Sequence, residues 1–320
     1  MRAYIHAFQG KPWNEECEAA YNGFRKLGSE CILFSNTEEL DTRDPEDIVV
    51  GGTLIMSHVF DQMGIVPDNY NYPEELSEYM GRKIWKTKVI DLRREMLPVF
   101  VKPVEDKVAK GTVIKTWDEA HEFEHLDPQA ELFCSEVVNF VSEWRCFVRY
   151  DRILGIKHYL GDRTVVCDFS LIEEAVAGLN NMPAGYCLDF GVTDDGRTIL
   201  VEMNDGFALG CYGLSDEKYA MLLEARWAEL SGTEDIFKKK VCGMYGGVIN
   251  NACRISRIRK DLDQMIFISV SRDVDYRYQK VMIKGIEYEI HDLYDARHGF
   301  AIEDKTADPN DLIGEILEYY

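Results

Sequence analysis

The sequence predicts an α+β protein of two or three domains, and three observations predict it. Strand-like and helix-like runs alternate over residues 1–70, the pattern of a small α/β unit. Strand signals are densest at 132–160 and are followed by a long hairpin at 185–204 and a helix at 215–230. After about residue 236 the texture becomes short apolar runs between turns, which reads as a small, mainly β appendage.

In chain order, 4–7 reads as a strand, 15–27 as a helix closed by Gly28, and 31–34 as a second strand. Val49-Val50-Gly51-Gly52 is a strand followed by a turn. This alternation favours a parallel sheet. Gly51-Gly52 lacks the spacing of a phosphate-binding loop and reads as a backbone turn. A helix over 73–80 has Pro at its first position and Gly81 just past its end. The basic cluster Arg82, Lys83, Lys86 and Lys88 follows, with Trp85 among it. Residues 98–103 form a short strand and 115–123 enter another helix. Strands follow at 132–138, 144–150 and 153–159, the last two paired around an Asp151-Arg152 turn. Ser170 and Glu173 make a capping box for a helix at 171–179. Ser215 caps a helix through Leu230 whose buried stripe is Tyr219, Leu222, Leu223, Trp227 and Leu230. In the appendage, 248–249, 265–270, 280–284 and 287–290 read as strands and 312–320 as a closing helix.

Composition bounds the function. The chain has 320 residues, 46% of them apolar, enough for a sizeable core. Asp and Glu outnumber Lys and Arg by 57 to 36, a formal charge of -21. That field opposes a nonspecific grip on nucleic acid or anionic membrane, so neither is expected as a partner. No signal peptide is visible, and no apolar run nears the roughly 20 residues that span a bilayer. The nine cysteines form no CxxC pair, which argues against structural zinc and fits a cytoplasmic protein.

The hairpin carries the chemistry. Asp189 stands on one strand, Asp194-Asp195-Gly196 makes the turn, and Glu202 and Asn204 lie on one face of the other strand. Hard oxygen donors converging in this way suit Mg²⁺, which often holds nucleotide phosphates. The competing reading is a solvated acidic face. Glu202, flanked by Val201 and Met203 in an apolar strand, argues against it, because a buried acid needs a partner.

Lys102 ends the apolar strand Val99-Phe100-Val101 as a point charge on a rigid support, suited to ATP phosphates; the alternative is a snorkelling surface lysine. Arg145 shares a strand face with Phe147 and Arg149 and can clamp a phosphate. On the next strand Lys157 is a further phosphate contact and His158 a polar support. The stretch 133–138 can serve as an adenine hinge, with Glu136 facing ribose hydroxyls. The glycine-spaced loop 205–214 can bring backbone N–H groups close to a substrate, or be only a connector.

Taken in order, Phe100-Val101-Lys102-Pro103, the hinge-like strand, Glu143-Trp144-Arg145-Cys146-Phe147-Val148, Leu188-Asp189-Phe190-Gly191-Val192 and Val201-Glu202-Met203-Asn204-Asp205-Gly206 resemble the ATP-grasp superfamily over residues 82–230. Gly81-Arg82-Lys83-Ile84-Trp85, Gly155-Ile156-Lys157-His158-Tyr159 and Ala208-Leu209-Gly210-Cys211-Tyr212-Gly213-Leu214 resemble a divergent branch found in bacteria and phages. The resemblance implies an ATP-grasp fold, two α+β subdomains clasping ATP. The core would occupy 82–235, preceded by an α/β unit at 1–81 and followed by the appendage at 236–320.

It also implies roles. Asp189, Glu202 and Asn204 match the Mg²⁺ ligands, Lys102 the phosphate-contacting lysine, and Arg145 the arginine near the transferred phosphate, with Lys157 beside it. The nucleotide set is Lys83, Lys86, Lys102, Glu136, Val138 and Glu143. Typical members carry a second ATP-contacting lysine upstream; Lys83, Lys86 and Lys88 crowd that region, and the choice stays open. The implied activity is that of an ATP-dependent, Mg²⁺-dependent carboxylate–amine ligase. It would activate a carboxylate as an acyl phosphate that an amine attacks, forming an amide or peptide bond from small-molecule or peptide substrates. A kinase-like phosphotransferase and a non-catalytic nucleotide-binding protein remain as alternatives. Residues 236–320 lie outside the resemblance and are left with substrate specificity, a partner surface or a homodimer contact.

Overall fold

The computed structural model describes residues 1–104 and 110–237, together with the backbone of seven strands between 253 and 319. The N-terminal unit comprises β1 (Arg2–Phe8), β2 (Lys11–Pro12), α1 (Glu15–Lys26), β3 (Glu30–Phe34), β4 (Ile48–Val50) and α2 (Thr53–Met63). Central β1 pairs in parallel with β3 and β4, while β2 folds back antiparallel. The predicted parallel sheet is therefore present. α1 begins where Asn14 accepts from the Cys17 N–H at 3.0 Å, and Glu15, Glu16 and Glu18 complement the positive end of its dipole.

The next sheet contains β5 (Ile84–Lys88), β6 (Val99–Pro103), β7 (Thr112–Ile114) and β8 (Glu131–Ser135), all antiparallel in the order β5-β8-β6-β7. Strict alternation buries Val99 and Val101 with Leu132, Cys134 and Phe123, and leaves Lys102 on the opposite face. The helices predicted at 73–80 and 115–123 are shorter and tighter. They form 3₁₀ segments at Glu74–Tyr79 and Glu119–Phe123. Segments of five or six residues gain too few i→i−4 bonds to favour an α-helix.

A second antiparallel sheet follows, built from β9 (Phe140–Arg149), β10 (Arg152–Gly161), β11 (Gly185–Thr193) and β12 (Thr198–Asp205) in the order β10-β9-β11-β12. The turn between β9 and β10 is Tyr150-Asp151, both at positive φ (45° and 60°), one residue earlier than predicted. α3 (Phe169–Gly178) and α4 (Asp216–Ser231) cover opposite faces of this sheet. The cap of α3 is not the predicted Ser170. Asp168 accepts from the N–H groups of Ser170 and Leu171 at 3.0 and 3.2 Å, and an earlier start lets Phe169 bury.

α4 is buried along Tyr219–Ala228 on all sides, not on one stripe, and Leu230 is only half-buried. Ser215 sits at its N-cap position without a side-chain cap bond. The all-round burial comes from α1, which packs against α4 so closely that a Cβ on Gly23 would lie 2.0 Å from the Asp216 carbonyl oxygen. One apolar core therefore runs from β1 through α1 and α4 to Phe147 and Cys187 of the second sheet.

The C-terminal strands are β13 (Cys253–Lys260), β14 (Met265–Val270), β15 (Lys280–Ile283), β16 (Ile286–Glu289), β17 (Asp292–Tyr294), β18 (Gly299–Glu303) and β19 (Ile316–Tyr319). They form one antiparallel sheet in the order β16-β15-β19-β13-β14-β18-β17. The predicted closing helix is replaced by β19, because Leu317 pairs with Cys253 and Tyr319 with Val281. Ladder partners on both sides outweigh the local helical pattern. The strand predicted at 248–249 lies outside the described residues. Among the described residues no helix is long and apolar enough to cross a membrane.

Candidate active site

Four charged side chains form one row across the second sheet. Lys157 on β10 is paired with Arg145 on β9, Arg145 with Asp189 on β11, and Asp189 with Glu202 on β12. Residues directly opposite in antiparallel strands share a face, so the row runs cation, cation, anion, anion. Arg145 grips Asp189 in a two-pronged pair, Nε to Oδ1 at 2.8 Å and Nη2 to Oδ2 at 2.6 Å. Both partners are buried, at 6% and 1% exposure, and Lys157 at 5%. The neighbouring carboxylate raises the Arg145 pKa further against the effect of burial. Burial pushes the Asp189 carboxyl up and the guanidinium opposes it.

Asn204 joins the two acids. Its Nδ2 lies 3.2 Å from both Asp189 Oδ2 and Glu202 Oε1. Two carboxylates and an amide on one patch are an oxygen donor set of the kind Mg²⁺ takes, with water completing its shell. The Asn204 amide must present its oxygen for this, a rotation of one side-chain torsion. Among the described residues there is no group of three or more His, Cys, Asp or Glu that could hold a metal, so the fit rests on this mixed set.

The first sheet completes the site from the opposite side. Lys102 Nζ reaches Glu202 Oε2 at 2.7 Å and Asn71 Oδ1 at 2.5 Å. Lys86 is paired with Phe133, and Phe133 with Lys102, so Lys86 stands in the same row and on the same face as Lys102. Lys83 does not join them; its ammonium lies over the Trp85 ring, which packs towards the other face. Lys88 is held away at the sheet margin by Gln129 Oε1 at 2.9 Å.

Residues 136–139 bridge β8 and β9 and so link the two sheets. Glu136 fixes the bridge by accepting the Lys83 N–H at 2.9 Å and donating its own N–H to Lys83 O at 3.1 Å. The backbone groups of Val137 and Val138 make no hydrogen bond among the described residues, so this edge is free to pair with a ligand. Glu143 lies on the same face as Arg145 and accepts from Tyr159 OH at 2.5 Å; burial raises its carboxyl pKa. His158 packs on Trp144, on the face away from the row.

Sequence reasoning gave four residues here no role in the site. Asn71 is buried, accepts from Lys102, and its carbonyl takes the Met203 N–H at 2.9 Å. Arg82 donates to the carbonyls of Leu200 and Val201 at 2.6 and 2.9 Å, and so fixes the strand that carries Glu202. Tyr159 and Tyr212 stack at 4.9 Å, with the Arg145 guanidinium over both rings. The one local signal was Tyr212 within a glycine-spaced loop, where it adopts a positive φ of 42°.

Two antiparallel sheets face each other across Lys102 and Glu202 and are joined by an open-edged bridge, the arrangement of the ATP-grasp fold. Residues 79–222 match the model of the ATP-grasp domain, R2K clade family 2, and this part of the chain has the ATP-grasp fold. No curated protein sequence matches it. Among solved structures it is similar to the macrocyclase MdnC from Microcystis aeruginosa MRC, bound with its precursor peptide MdnA (12% identity, 70% of this chain and 99% of that one, TM-score 0.39). It is also similar to the D-alanine–D-alanine ligase from Bacillus anthracis complexed with ATP (12%, 72% and 98%, TM-score 0.44) and to the D-cycloserine synthetase DcsG (11%, 72% and 100%, TM-score 0.49).

Proposed function

We propose that the chain is an ATP-dependent carboxylate–amine ligase. The observation that carries this reading is the row Lys157–Arg145–Asp189–Glu202, met by Lys102 from the facing sheet. Cations at one end of the row are placed for a transferring phosphoryl group, and oxygen donors at the other for a metal. Asp189, Glu202 and Asn204 would hold Mg²⁺, which when bound offsets charge on the nucleotide phosphates. Lys102 and Lys86 bind phosphate oxygens, and the 136–138 backbone takes the adenine edge. Arg145 and Lys157 stabilise charge as the phosphoryl group passes to a substrate carboxylate. Positioning and electrostatics carry the reaction, so no Ser, Cys or His nucleophile is required.

A screen of carboxylate and amine pairs, read by ADP release and product mass, tests the proposal. ADP formation that requires both partners and yields an amide is expected. ADP release that never consumes an amine overturns it.

A further inference from the structure

The stretch 69–72, between α2 and the 3₁₀ segment Glu74–Tyr79, is a strap that holds both sheets. Asn71 is 5% exposed and works through its main chain and its side chain at once. Its backbone carbonyl accepts the Met203 N–H at 2.9 Å. β12 is an edge strand, and this bond closes its open side between Glu202 and Asn204. The Asn71 side-chain oxygen accepts from Lys102 Nζ at 2.5 Å. One residue therefore fixes both the strand that carries the oxygen donors and the ammonium that faces them. Tyr72 packs edge-on against Phe133 with ring centroids 4.9 Å apart, and Phe133 is the residue paired with Lys102 and with Lys86. The strap thus lies on the face of the first sheet that carries these two lysines.

Chemistry dictates how the two asparagine amides point. Asn69 Nδ2 donates at 2.6 Å to Val104 O, just past β6. A carbonyl only accepts, so Asn69 must turn its nitrogen to Val104 and its oxygen to Asn71. Asn71 Nδ2 donates to that oxygen. The Asn71 oxygen is left to face Lys102, whose ammonium only donates. With an acceptor at one end and a donor at the other, any flip sets two donors or two acceptors against each other.

Lys102 Nζ also reaches Glu202 Oε2 at 2.7 Å. With no competing acceptor, attraction would draw the ammonium wholly onto the carboxylate, and each group would screen the other from a phosphate or a metal. Asn71 is neutral. It competes for the ammonium without adding a charge. A carboxylate in its place would hold the ammonium harder and would turn an oxygen towards the Asn69 oxygen.

We propose that Asn71, oriented by Asn69, is a positioning residue that shares the Lys102 ammonium with Glu202, so that Lys102 stays aimed at a nucleotide phosphate when Glu202 turns to a metal. The proposal rests on the nucleotide reading of the site given above.

The test uses the full chain with isotope-labelled lysine. Exchange of the Lys102 ammonium protons is read by NMR, with the signal identified by its loss in Lys102→Met. Mg·ATP binding is read by calorimetry on the same samples. Asn71→Leu should speed the exchange and weaken Mg·ATP binding, each about 10-fold, as for loss of one hydrogen bond to a charged group. Asn69 is exposed, so Asn69→Ala spares the packing; it should shift both readouts the same way, and it decides the matter if Asn71→Leu does not fold. Asn69→Asp keeps the acceptor for Asn71 and should bring both readouts back to within about twofold of the wild type. A strap that served stability alone would lower the urea midpoint in these variants and leave the exchange unmoved. Exchange that ignores the substitutions, faster exchange with unchanged Mg·ATP binding, or Asn69→Asp no better than Asn69→Ala overturns the inference. So does a wild-type Lys102 signal that exchanges as fast as that of a fully exposed lysine. A wild-type chain whose protected ammonium depends on Asn69 but which binds no Mg·ATP supports the hold on Lys102 and overturns the nucleotide reading alone.

Discussion

Lys102 and Glu202, on facing sheets and 100 positions apart, meet at 2.7 Å. Their side chains are 18% and 24% exposed, so the pair lies in partly solvated surroundings. Such pairs contribute about 1 kcal/mol or less to stability. Its importance is therefore positional: it sets the cation proposed for phosphate beside an acid proposed for the metal. Glu202→Gln should reduce Mg²⁺-dependent ATP turnover about 100-fold or more, the loss typical of an electrostatic group at a reaction centre. The urea midpoint should hardly move. Near-normal ADP release from the variant would remove Glu202 from the metal site.

The row Lys86–Phe133–Lys102 puts Lys86 on the face of Lys102 and makes it the upstream lysine proposed for the nucleotide. Lys86→Met should weaken Mg·ATP binding about 10-fold, as for one charge-assisted contact. Lys83→Met and Lys88→Met should leave the dissociation constant near that of the wild type. Calorimetric titration of the three variants checks this; equal loss in all three would assign the effect to general charge.

Tyr212 holds Arg145 through its ring. It stacks on Tyr159 at an interplanar angle of 15° and keeps the guanidinium over both faces. A cation–π contact that is partly desolvated is worth about 1–2 kcal/mol. Tyr212→Ala should therefore lower kcat about 10-fold, whereas Tyr212→Phe, which keeps the ring, should stay close to the wild type. If phenylalanine fails to rescue, the hydroxyl and not the ring is the working part.

What was legible in the sequence follows period and proximity. Val99, Val101 and Lys102 could be sorted to faces because a strand alternates, and the 185–204 hairpin because a turn signal separates two apolar runs. Asn71 and Arg82 were not legible, because each works through partners far along the chain. Arg82 grips carbonyls 118 and 119 positions away. α4 read as one-sided because its pattern shows no second neighbour, and α1 supplies one through Gly23. Ile316–Tyr319 read as a helix because its ladder partners, β13 and β15, lie elsewhere in sequence. The metal role of Asp189, Glu202 and Asn204 was read from oxygen donors converging on one hairpin and then from resemblance; the geometry adds that Arg145 and Lys102 already pair with those two acids.

A pH dependence should come from Glu224 of α4, which lies near Asp235 and Arg149. It is 1% exposed, and its Oε2 has no hydrogen-bond partner among the described residues. Burial, reinforced by the charge of Asp235, pushes its carboxyl up to about 8 from an ordinary 4.5. Unfolding returns it to the ordinary value. Below about pH 4.5 both states are protonated and the native state carries no penalty. Between about 4.5 and 8 the unfolded chain releases its proton while the native chain retains it, so stability falls as pH rises. The limiting slope is about 1.4 kcal/mol per pH unit for this one group. Glu224→Gln removes the titration. Urea midpoints taken at pH 5 and pH 8 should converge in the variant relative to the wild type, with the larger gain at pH 8. Parallel pH profiles for the two proteins would show that Glu224 is already ionised in the fold.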